Sequence, residues 1–314
     1  MDDVGYGDRE DTMKLIGGGA RRVLAVGALA MGMLLTGAGV AAADTADAAR
    51  FRVTAGSLVL SHDGTRYTGT MRITVRNVGH ASADGATLLL GVPAGLRFLG
   101  VDNGGGCILG DPIGCALFDP PAAGKRTTYT LSFGSYADGA RNARRTDSAT
   151  VTVKPSGATA GPGSARYAGV LRGTSGTVRH PRPYHPATTY DAVIGAETPL
   201  VEPDGTGGYN VRIPLTVRSR TDAANDGAFI VITAPEGSGF PSVDPSAICM
   251  SGCEVPGGWL AKSESRSFAV LFTFRPVGPG PYVVTITAAM STFPQQPDVT
   301  PDDNVVTVDL NIVA

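Results

Sequence analysis

The sequence predicts an all-β protein in which one β-sandwich is built twice. A segment that begins at residues 71–76 (MRITVR) returns at residues 213–218 (IPLTVR), and later landmarks such as Cys107 and Cys249 keep the same offset of 142 residues. A constant offset indicates a duplicated unit rather than chance. Apolar and polar residues alternate within these segments, as they do in strands with one buried face. The 43 Gly and 22 Pro among 314 residues suit short strands joined by turns.

The alternating pattern places the strands of each unit. The predicted strands are 50–60, 67–77, 84–92, 96–101, 125–134 and 147–154 in the first unit, and 193–201, 209–219, 228–234, 266–274, 281–290 and 304–312 in the second, with a short strand near Phe240. A further strand of the first unit is expected within residues 164–178. Pro214 lies inside a predicted strand, and because proline cannot donate to a ladder, we expect an edge or a bulge there.

Residues 1–43 are predicted to be a secretory signal peptide. Arg21 and Arg22 precede a charge-free apolar run, and Ala41 to Ala43 offer small residues before a cleavage point. A membrane anchor is the alternative, because the charge-free run is long enough to span a bilayer. Cleavage is favoured by the Gly and Ala content of the run. The mature chain is then expected outside the cell, secreted or wall-associated, without a membrane segment.

The predicted organisation after the signal peptide has three parts. Residues 44–178 form the first sandwich, residues 179–190 form a linker rich in Pro and Arg, and residues 191–314 form the second sandwich. The prolines of the linker favour an extended, semi-stiff spacer. Residues 44–190 carry 16 basic and 9 acidic side chains, a formal charge of +7, whereas residues 191–314 carry 6 basic and 14 acidic side chains, a charge of −8. This asymmetry leaves three explanations open: attraction between the halves, binding of an anionic polymer, or two independently solvated surfaces.

The four cysteines fall two to a repeat. Cys107 and Cys115 lie in the first unit, and Cys249 and Cys253 lie in the second. In an exported chain, an even number of cysteines paired within repeats predicts two disulfides. Two thiolates per repeat are too few for a closed zinc site, so no metal is predicted at them.

Nothing in the sequence predicts a catalytic site or a cofactor. The chain lacks the G-x-S-x-G and H-E-x-x-H motifs, and His62 and His80 lie in polar turns. Asp298, Asp302, Asp303 and Asn304 lie in the loop before the last strand, and oxygen ligands of this kind suit calcium. Turn formation is the favoured interpretation, because these residues lack the ligand spacing of a calcium-binding hand and lie beside prolines.

Two groups of residues carry a resemblance to a known family. Residues 76–79 (RNVG), Ala83 and residues 93–98 (PAGLRF) resemble the bacterial conserved repeat domain, the domain of unknown function numbered eleven. Residues 301–304 (PDDN) and the following residues 306–308 (VTV) are similar to the end of that repeat and of the related CARDB-type cell-adhesion domain. The resemblance implies immunoglobulin-like sandwiches on secreted or wall-associated bacterial proteins, and it brings no catalytic residues.

The predicted function is therefore that of an exported, non-enzymatic adhesion or structural module. Its expected partner is an anionic cell-wall polymer or another surface protein, and not nucleic acid, because the chain is exported. The candidate polyanion contacts are Arg141, Arg144, Arg145, Arg166, Arg172, Arg179 and Arg182. Tyr136, Tyr167 and Tyr184 are interleaved with them, and arginine with aromatic rings can hold phosphates or sugars. The alternatives are an extracellular hydrolase, or a carbohydrate- or calcium-binding accessory protein, with a site hidden from sequence.

Overall fold

The protein is all-β in the computed structural model, which describes residues 48–157, 161–291 and 298–312. Its one described helix is a short 3₁₀ turn at Pro301–Asn304. The predicted signal peptide, residues 1–43, lies outside the described residues.

The strands follow one another along the chain in two groups. The first group is β1 (Phe51–Ala55), β2 (Leu58–His62), β3 (Tyr67–Asn77), β4 (Ala86–Leu90), β5 (Leu96–Val101), β6 (Gly104–Ile108), β7 (Ile113–Leu117), β8 (Arg126–Ser135), β9 (Arg144–Arg145), β10 (Ala149–Pro155), β11 (Gly163–Tyr167), β12 (Gly169–Leu171) and β13 (Arg182–Pro183). The second group is β14 (Ala192–Ala196), β15 (Leu200–Pro203), β16 (Tyr209–Ser219), β17 (Gly227–Thr233), β18 (Ser242–Asp244), β19 (Cys253–Glu254), β20 (Ser265–Phe274), β21 (Val283–Ser291) and β22 (Val305–Asp309).

The first group forms two facing sheets around one hydrophobic core. One sheet has the order β13-β9-β12-β2-β3-β8-β5, with β1 also paired to β3, and the other has the order β11-β10-β4-β7-β6. Alternate residues of β3 and β8 point inward, so that Met71, Ile73, Tyr129, Leu131 and Phe133 are almost completely buried. The period-2 pattern that predicts these strands is thus the pattern that fills the core.

The second group repeats this plan around a separate core. Its sheets have the orders β14-β16-β20-β18, with β15 also on β16, and β19-β17-β21-β22. Ile213, Val217 and Val270 from one sheet and Ile230 and Ile286 from the other are fully buried. The strand β16 (Tyr209–Ser219) lies 142 residues after β3 (Tyr67–Asn77) at both ends, so the duplicated sequence produces duplicated strands.

The first strand of each predicted repeat is broken in two. The sequence predicts single strands at 50–60 and 193–201, whereas the structure has β1 and β2 in the first group and β14 and β15 in the second. At the break, the Gly56 amide donates to the Arg72 carbonyl at 2.8 Å, and the Glu197 amide donates to the Pro214 carbonyl at 3.0 Å. Pro214 lies 142 residues after Arg72, so the duplicated units share this break.

The break explains how Pro214 is accommodated in a central strand. β14 pairs with β16 up to Leu215, and β15 pairs with it from Arg212 onward. The N–H and C=O of a strand residue point to the same side, so the absent donor of Pro214 faces the gap between these two strands. Proline at this position therefore costs no ladder hydrogen bond. The irregularity expected at Pro214 is found in the neighbouring strand, as the break between β14 and β15.

The segment predicted as a linker contains β-structure of the first sandwich. Arg182 and Pro183 of β13 pair in parallel with Arg144 and Arg145 of β9. Tyr184, the next residue, is 4% exposed and belongs to the first core. This part of residues 179–190 is therefore packed onto the first sandwich rather than being a free spacer, because ladder hydrogen bonds and the buried Tyr184 ring hold it there.

A buried ion pair joins the two sandwiches. Arg66, just before β3, donates from Nε and Nη2 to the two carboxylate oxygens of Glu264, at 2.9 and 2.6 Å. Arg266 also donates to Glu264 Oε1, at 3.0 and 2.8 Å, and the Ala261 amide donates to Oε2 at 2.9 Å. The Glu264 side chain is only 5% exposed. Its charge is thus compensated by two guanidinium groups, one from each sandwich.

An aromatic contact lies beside this ion pair. The Tyr136 and Trp259 rings meet edge to face with their centroids 5.2 Å apart, and the Arg66 guanidinium lies 4.4 Å from the centre of the Trp259 ring. A Cβ at Gly134 would lie 2.9 Å from the Trp259 ring, so the glycine leaves room for it. Arg97 adds a second bridge, since its Nη1 donates to Asp226 Oδ1 at 2.8 Å.

We predict that Glu264→Gln destabilises the protein by about 2–4 kcal/mol at neutral pH, because it leaves two guanidinium groups without a countercharge. Burial opposes ionisation of Glu264, but hydrogen bonds from Arg66, Ala261 and Arg266 outweigh it and hold the pKa below the usual 4.5. The carboxylate therefore stabilises the fold above about pH 4.5, and this stabilisation is lost as the pH falls below that value. Denaturant unfolding of the unsubstituted chain and of Glu264→Gln should be measured between about pH 7 and pH 3. The difference between their free energies of unfolding should become smaller as the pH falls.

Arg212→Gln is the matched control. Arg212 bonds Asp244 at 2.8 Å, but their side chains are 44% and 52% exposed. An exposed pair of this kind contributes less than about 1 kcal/mol. If Arg212→Gln destabilises as much as Glu264→Gln, burial is not what makes the Glu264 pair important.

Candidate functional site

Three segments of the first sandwich meet at one corner and carry most of the candidate arginines. The Thr174 amide donates to the Ala140 carbonyl at 2.8 Å, which joins the loop after β12 to the loop before β9. The Arg182 amide donates to the Ala143 carbonyl at 2.9 Å, which adds β13. We call residues 137–147 and 169–184 the basic corner. Its backbone is fixed by hydrogen bonds between segments that are distant in sequence.

Six of the seven candidate arginines lie in the basic corner. Arg141, Arg145, Arg179 and Arg182 are exposed, whereas Arg144 and Arg172 are partly buried. Arg166 lies elsewhere, because β11 belongs to the opposite sheet, where Arg166 pairs with Thr150 of β10. The structure thus groups most of the set that the sequence predicts and separates one member from it.

The two partly buried arginines hold the corner together. The Arg144 guanidinium donates to the Asp138 carbonyl, lies 3.5 Å from the Asp138 carboxylate and sits 5.0 Å from the centre of the Tyr184 ring. Arg172 donates to Ser61 Oγ at 3.3 Å and to the Gly176 carbonyl at 3.0 Å. These side chains are occupied within the protein, so the exposed four are the ones available to a ligand.

The interleaved tyrosines do not form the stacking surface that the sequence predicts. Tyr136, Tyr167 and Tyr184 are only 4%, 6% and 4% exposed. Burial raises the pKa of all three hydroxyls, and the neighbouring Asp222 raises that of Tyr184 further. Each ring packs inward because it is large and apolar, and its hydroxyl finds a partner at the core boundary. The exposed guanidinium groups of the corner therefore have no exposed tyrosine ring beside them.

Two carboxylates in or beside the basic corner are engaged, whereas Asp147 is exposed and has no ion pair among the described residues. Asp138 contacts Arg144 and lies 4.0 Å from Lys262 of the second sandwich. Asp222 accepts from the Tyr184 hydroxyl at 3.0 Å and from the Ala187 amide at 2.8 Å. The exposed arginines thus keep a net positive surface that is open to solvent.

The cysteines form the two disulfides that the sequence predicts. Cys107 and Cys115 stand opposite each other on β6 and β7, a hairpin that the strand pattern misses because its first strand is rich in glycine. Cys249 and Cys253 close a five-residue loop before β19. The residue after the first cysteine of each pair, Ile108 or Met250, is almost fully exposed. Both loops are therefore fixed covalently at their base.

Three carboxylates meet beside the last strand. Asp191, Asp298 and Asp303 each place an oxygen within 4.8 Å of the others. Burial and the charge of Asp303 raise the pKa of Asp191, while Arg220 opposes this shift. Arg220 bonds Asp303 and lies 3.9 Å from Asp191, and Asp298 accepts from the Ala192 amide at 2.9 Å. Arg220 and backbone donors thus serve part of the cluster, whereas the buried Asp191 Oδ1 and Asp303 Oδ1 have no hydrogen-bond partner among the described residues.

A cleft between the sandwiches contains residue types that could suit a hydrolase. It has a volume of about 570 Å³ and is lined by His62, Asp138, Ser263 and Glu264 among others. Glu264 is held by its guanidinium partners, and His62 Nδ1 accepts from the Gly64 amide at 3.1 Å. Within the described ranges, no hydrogen bond joins a serine to a histidine. The cleft therefore shows no nucleophile activated by a base.

We predict that Arg144→Ala lowers the free energy of unfolding by about 1–2 kcal/mol, because it removes a packed ion pair and a cation–π contact on Tyr184. The neighbouring substitution Arg145→Ala removes an exposed side chain and should change stability by less than about 0.5 kcal/mol. Denaturant titrations give the free energy of unfolding of each variant. Arg145 is the matched control because both residues belong to β9. Equal effects would show that Arg144 does not support the corner.

No family model matches the chain, and no curated protein matches it. Among solved structures, it is similar to a partial N-terminal region of an enterococcal surface protein, at 10% identity over 85% of this chain and 95% of that chain, with a TM-score of 0.25. It is similar to the E. coli CFA/I adhesin CfaE, at 8% identity over 87% and 89%, with a TM-score of 0.25. A third is the chaperone–tip adhesion subunit complex CsuC–CsuE of Acinetobacter baumannii, at 8% identity over 82% and 97%, with a TM-score of 0.21. These likenesses are too weak to carry an argument about function. Among the described residues, no helix has the length and apolarity needed to cross a bilayer.

Proposed function

We propose that this chain is an exported, non-enzymatic adhesion module that holds anionic cell-wall polymers through the basic corner. The observation that carries the proposal is the grouping of Arg141, Arg145, Arg179 and Arg182, all exposed, on three segments tied by backbone hydrogen bonds. The two disulfides suit a chain that works outside the cell, where thiols oxidise. This supports a surface role rather than one in the cytosol.

The chemistry of the corner favours phosphate or carboxylate groups. A guanidinium presents its donors as a planar fork that matches both anions. Several such forks on one surface can each hold one group of a repeating polymer, so many weak contacts add up. Because the three tyrosines are buried, their rings cannot stack on a ligand, and binding is expected to be mainly electrostatic.

The rigidity of the corner strengthens this proposal. Arg144 and Arg172 are held by Asp138, Ser61 and Gly176, and β13 is paired with β9. A surface whose backbone is already ordered loses less conformational freedom on binding than a mobile linker would. The same arginines in an extended spacer, as the sequence predicts for residues 179–190, would bind the polymer less well.

A second candidate function is carbohydrate binding by the second sandwich. A groove of about 420 Å³ is lined by the exposed Leu200 and Phe240 together with polar Glu202, Asn210 and Arg212. An apolar wall with a few convergent polar groups is typical of small-ligand sites. It would place an uncharged sugar against the Phe240 ring, whereas the basic corner requires an anion.

We predict that the variant Arg141→Gln/Arg145→Gln/Arg179→Gln/Arg182→Gln binds purified bacterial cell walls at least about tenfold more weakly than the unsubstituted chain, since each exposed charge contributes a few tenths to about 1 kcal/mol. Raising NaCl from about 50 to about 300 mM should weaken binding by the unsubstituted chain, because screening shortens the reach of exposed charges. Sedimentation of walls with bound protein measures both effects.

The matched control is Lys154→Gln/Arg166→Gln/Arg218→Gln/Arg275→Gln. These four side chains are exposed and lie outside the basic corner, and their loss changes the net charge by the same amount. The control should bind as well as the unsubstituted chain. Equal loss in the two variants, or binding that ignores salt, would contradict the proposed site.

Phe240→Ala tests the second candidate. If the groove holds wall sugars, this variant should lose binding that persists at high salt and that the four corner substitutions leave intact, because stacking on an aromatic ring is not screened by ions. Unchanged binding by Phe240→Ala at high salt would exclude the groove as the contact.

A further inference from the structure

Three arginines form a row across neighbouring strands of the first sandwich. Arg52 of β1 stands directly opposite Arg76 of β3, and Arg76 stands directly opposite Arg126 of β8. Residues paired in this way point to the same face of the sheet, and all three are exposed. Adjacent strands lie about 4.8 Å apart, so the row spans about 10 Å. We call Arg52, Arg76 and Arg126 the arginine row.

The arginine row has no carboxylate partner in the part of the chain that the structure describes. Like charges directly opposite one another on a sheet are destabilising. The neighbouring rows on this face are also free of acids, since they consist of Thr54, Thr74 and Thr128, and then of Arg72 and Thr130. Asp102 lies at the edge of the face, where it accepts from the Thr130 amide.

A rigid turn adds a fourth cation to the arginine row. Lys125 precedes Arg126, and a depression of about 430 Å³ is lined by Arg76, Gly124, Lys125 and Arg126. The turn is held by two backbone hydrogen bonds of the buried Asn77. Its backbone N–H donates to the Lys125 carbonyl and its backbone carbonyl accepts from the Gly124 N–H, both at 3.0 Å. Gly124 has a φ of 72°, which this turn requires and which other residues rarely adopt. Arg76, Lys125 and Arg126 therefore line one concave surface, and Arg52 stands beside it, opposite Arg76.

We propose that the arginine row, with Lys125, is a binding site for a phosphate-bearing linear polyanion that lies across the strands. Guanidinium forks at a regular spacing can each grip one phosphate, and Lys125 adds a point charge in the depression. The threonine row beside it offers hydroxyls to the ligand, and Thr74 and Thr128 already lie within 3.3 Å of each other. Binding of an anion also relieves the repulsion within the row.

This site is distinct from the basic corner. The corner lies at the other end of β3, where the Tyr67 hydroxyl donates to the Arg172 carbonyl. Arg76 lies nine positions after Tyr67 on the same strand, which corresponds to about 30 Å along it. The two cationic surfaces can therefore be removed separately, and failure of one proposal leaves the other standing.

The test uses the full chain with inorganic tripolyphosphate as the probe, measured by calorimetry. Arg52→Gln/Arg76→Gln/Arg126→Gln should bind tripolyphosphate at least about tenfold more weakly, since three charged contacts are lost. With long-chain polyphosphate as the probe, the plot of log affinity against log NaCl concentration should become shallower by about two, because binding through three fewer phosphate contacts releases fewer condensed counterions. The control Lys154→Gln/Arg166→Gln/Arg218→Gln, with the same charge change elsewhere, should bind like the unsubstituted chain.

Further arms identify the ligand and exclude unfolding. Polyglutamate of similar charge should bind more weakly than long-chain inorganic polyphosphate, and equal binding would overturn the choice of phosphate. Thermal unfolding of the triple variant should occur at the same or a higher temperature, because it removes opposed like charges. The proposal is wrong if the control variant loses as much affinity for tripolyphosphate as the triple variant of the arginine row. It is also wrong if the four substitutions of the basic corner alone abolish tripolyphosphate binding. A third contrary result would be sedimentation showing that the arginine row joins two copies of the chain.

Discussion

The buried carboxylate of Glu264 is the interaction on which the arrangement of the two sandwiches depends. A carboxylate that is only 5% exposed is costly unless its charge is compensated, and here one guanidinium comes from each sandwich. Arg66 also covers the Trp259 ring, which in turn contacts Tyr136. Separation of the sandwiches would break the Arg66 pair and expose this aromatic contact together. The interface therefore behaves as a unit and fixes the positions of both cationic surfaces relative to the acidic second sandwich.

The duplicated sequence keeps its strand geometry but changes its surface. Arg72 and Pro214 occupy equivalent positions, and in both copies the neighbouring strand breaks opposite them. The break in the second copy is what allows a proline there. Outward-facing positions diverge, because they are free of packing constraints. Arg76 corresponds to Arg218, yet Arg218 pairs with Val193 of β14 where Arg76 pairs with Arg52, so the arginine row exists in the first copy alone.

The features that the sequence predicts are those that depend on residues close together along the chain. Alternation places β3, β5 and β16 at their observed bounds, and the spacing of the cysteines predicts both disulfides. Pattern does not predict which outward residues meet across strands, because Arg52, Arg76 and Arg126 are brought together by pairings between segments that are far apart along the chain. It also does not predict that Tyr184 is buried, since the strand just before it, β13, has only two residues and shows no period. Register and burial of such segments are tertiary properties.

The charge asymmetry of the chain has a structural consequence. Most exposed cations of the first sandwich lie at two places, the basic corner at one edge of the larger sheet with its loops and the arginine row on the sheet itself, while Arg66, Arg97 and Arg144 are used in ion pairs. The positive charge that remains is therefore not spread evenly, and a polymer that spans β3 could contact both surfaces at once. Such a ligand would be held by two weak sites near opposite ends of β3, and the second contact would form at a high local concentration. The rigid sheet between the sites makes their spacing a fixed property of the fold.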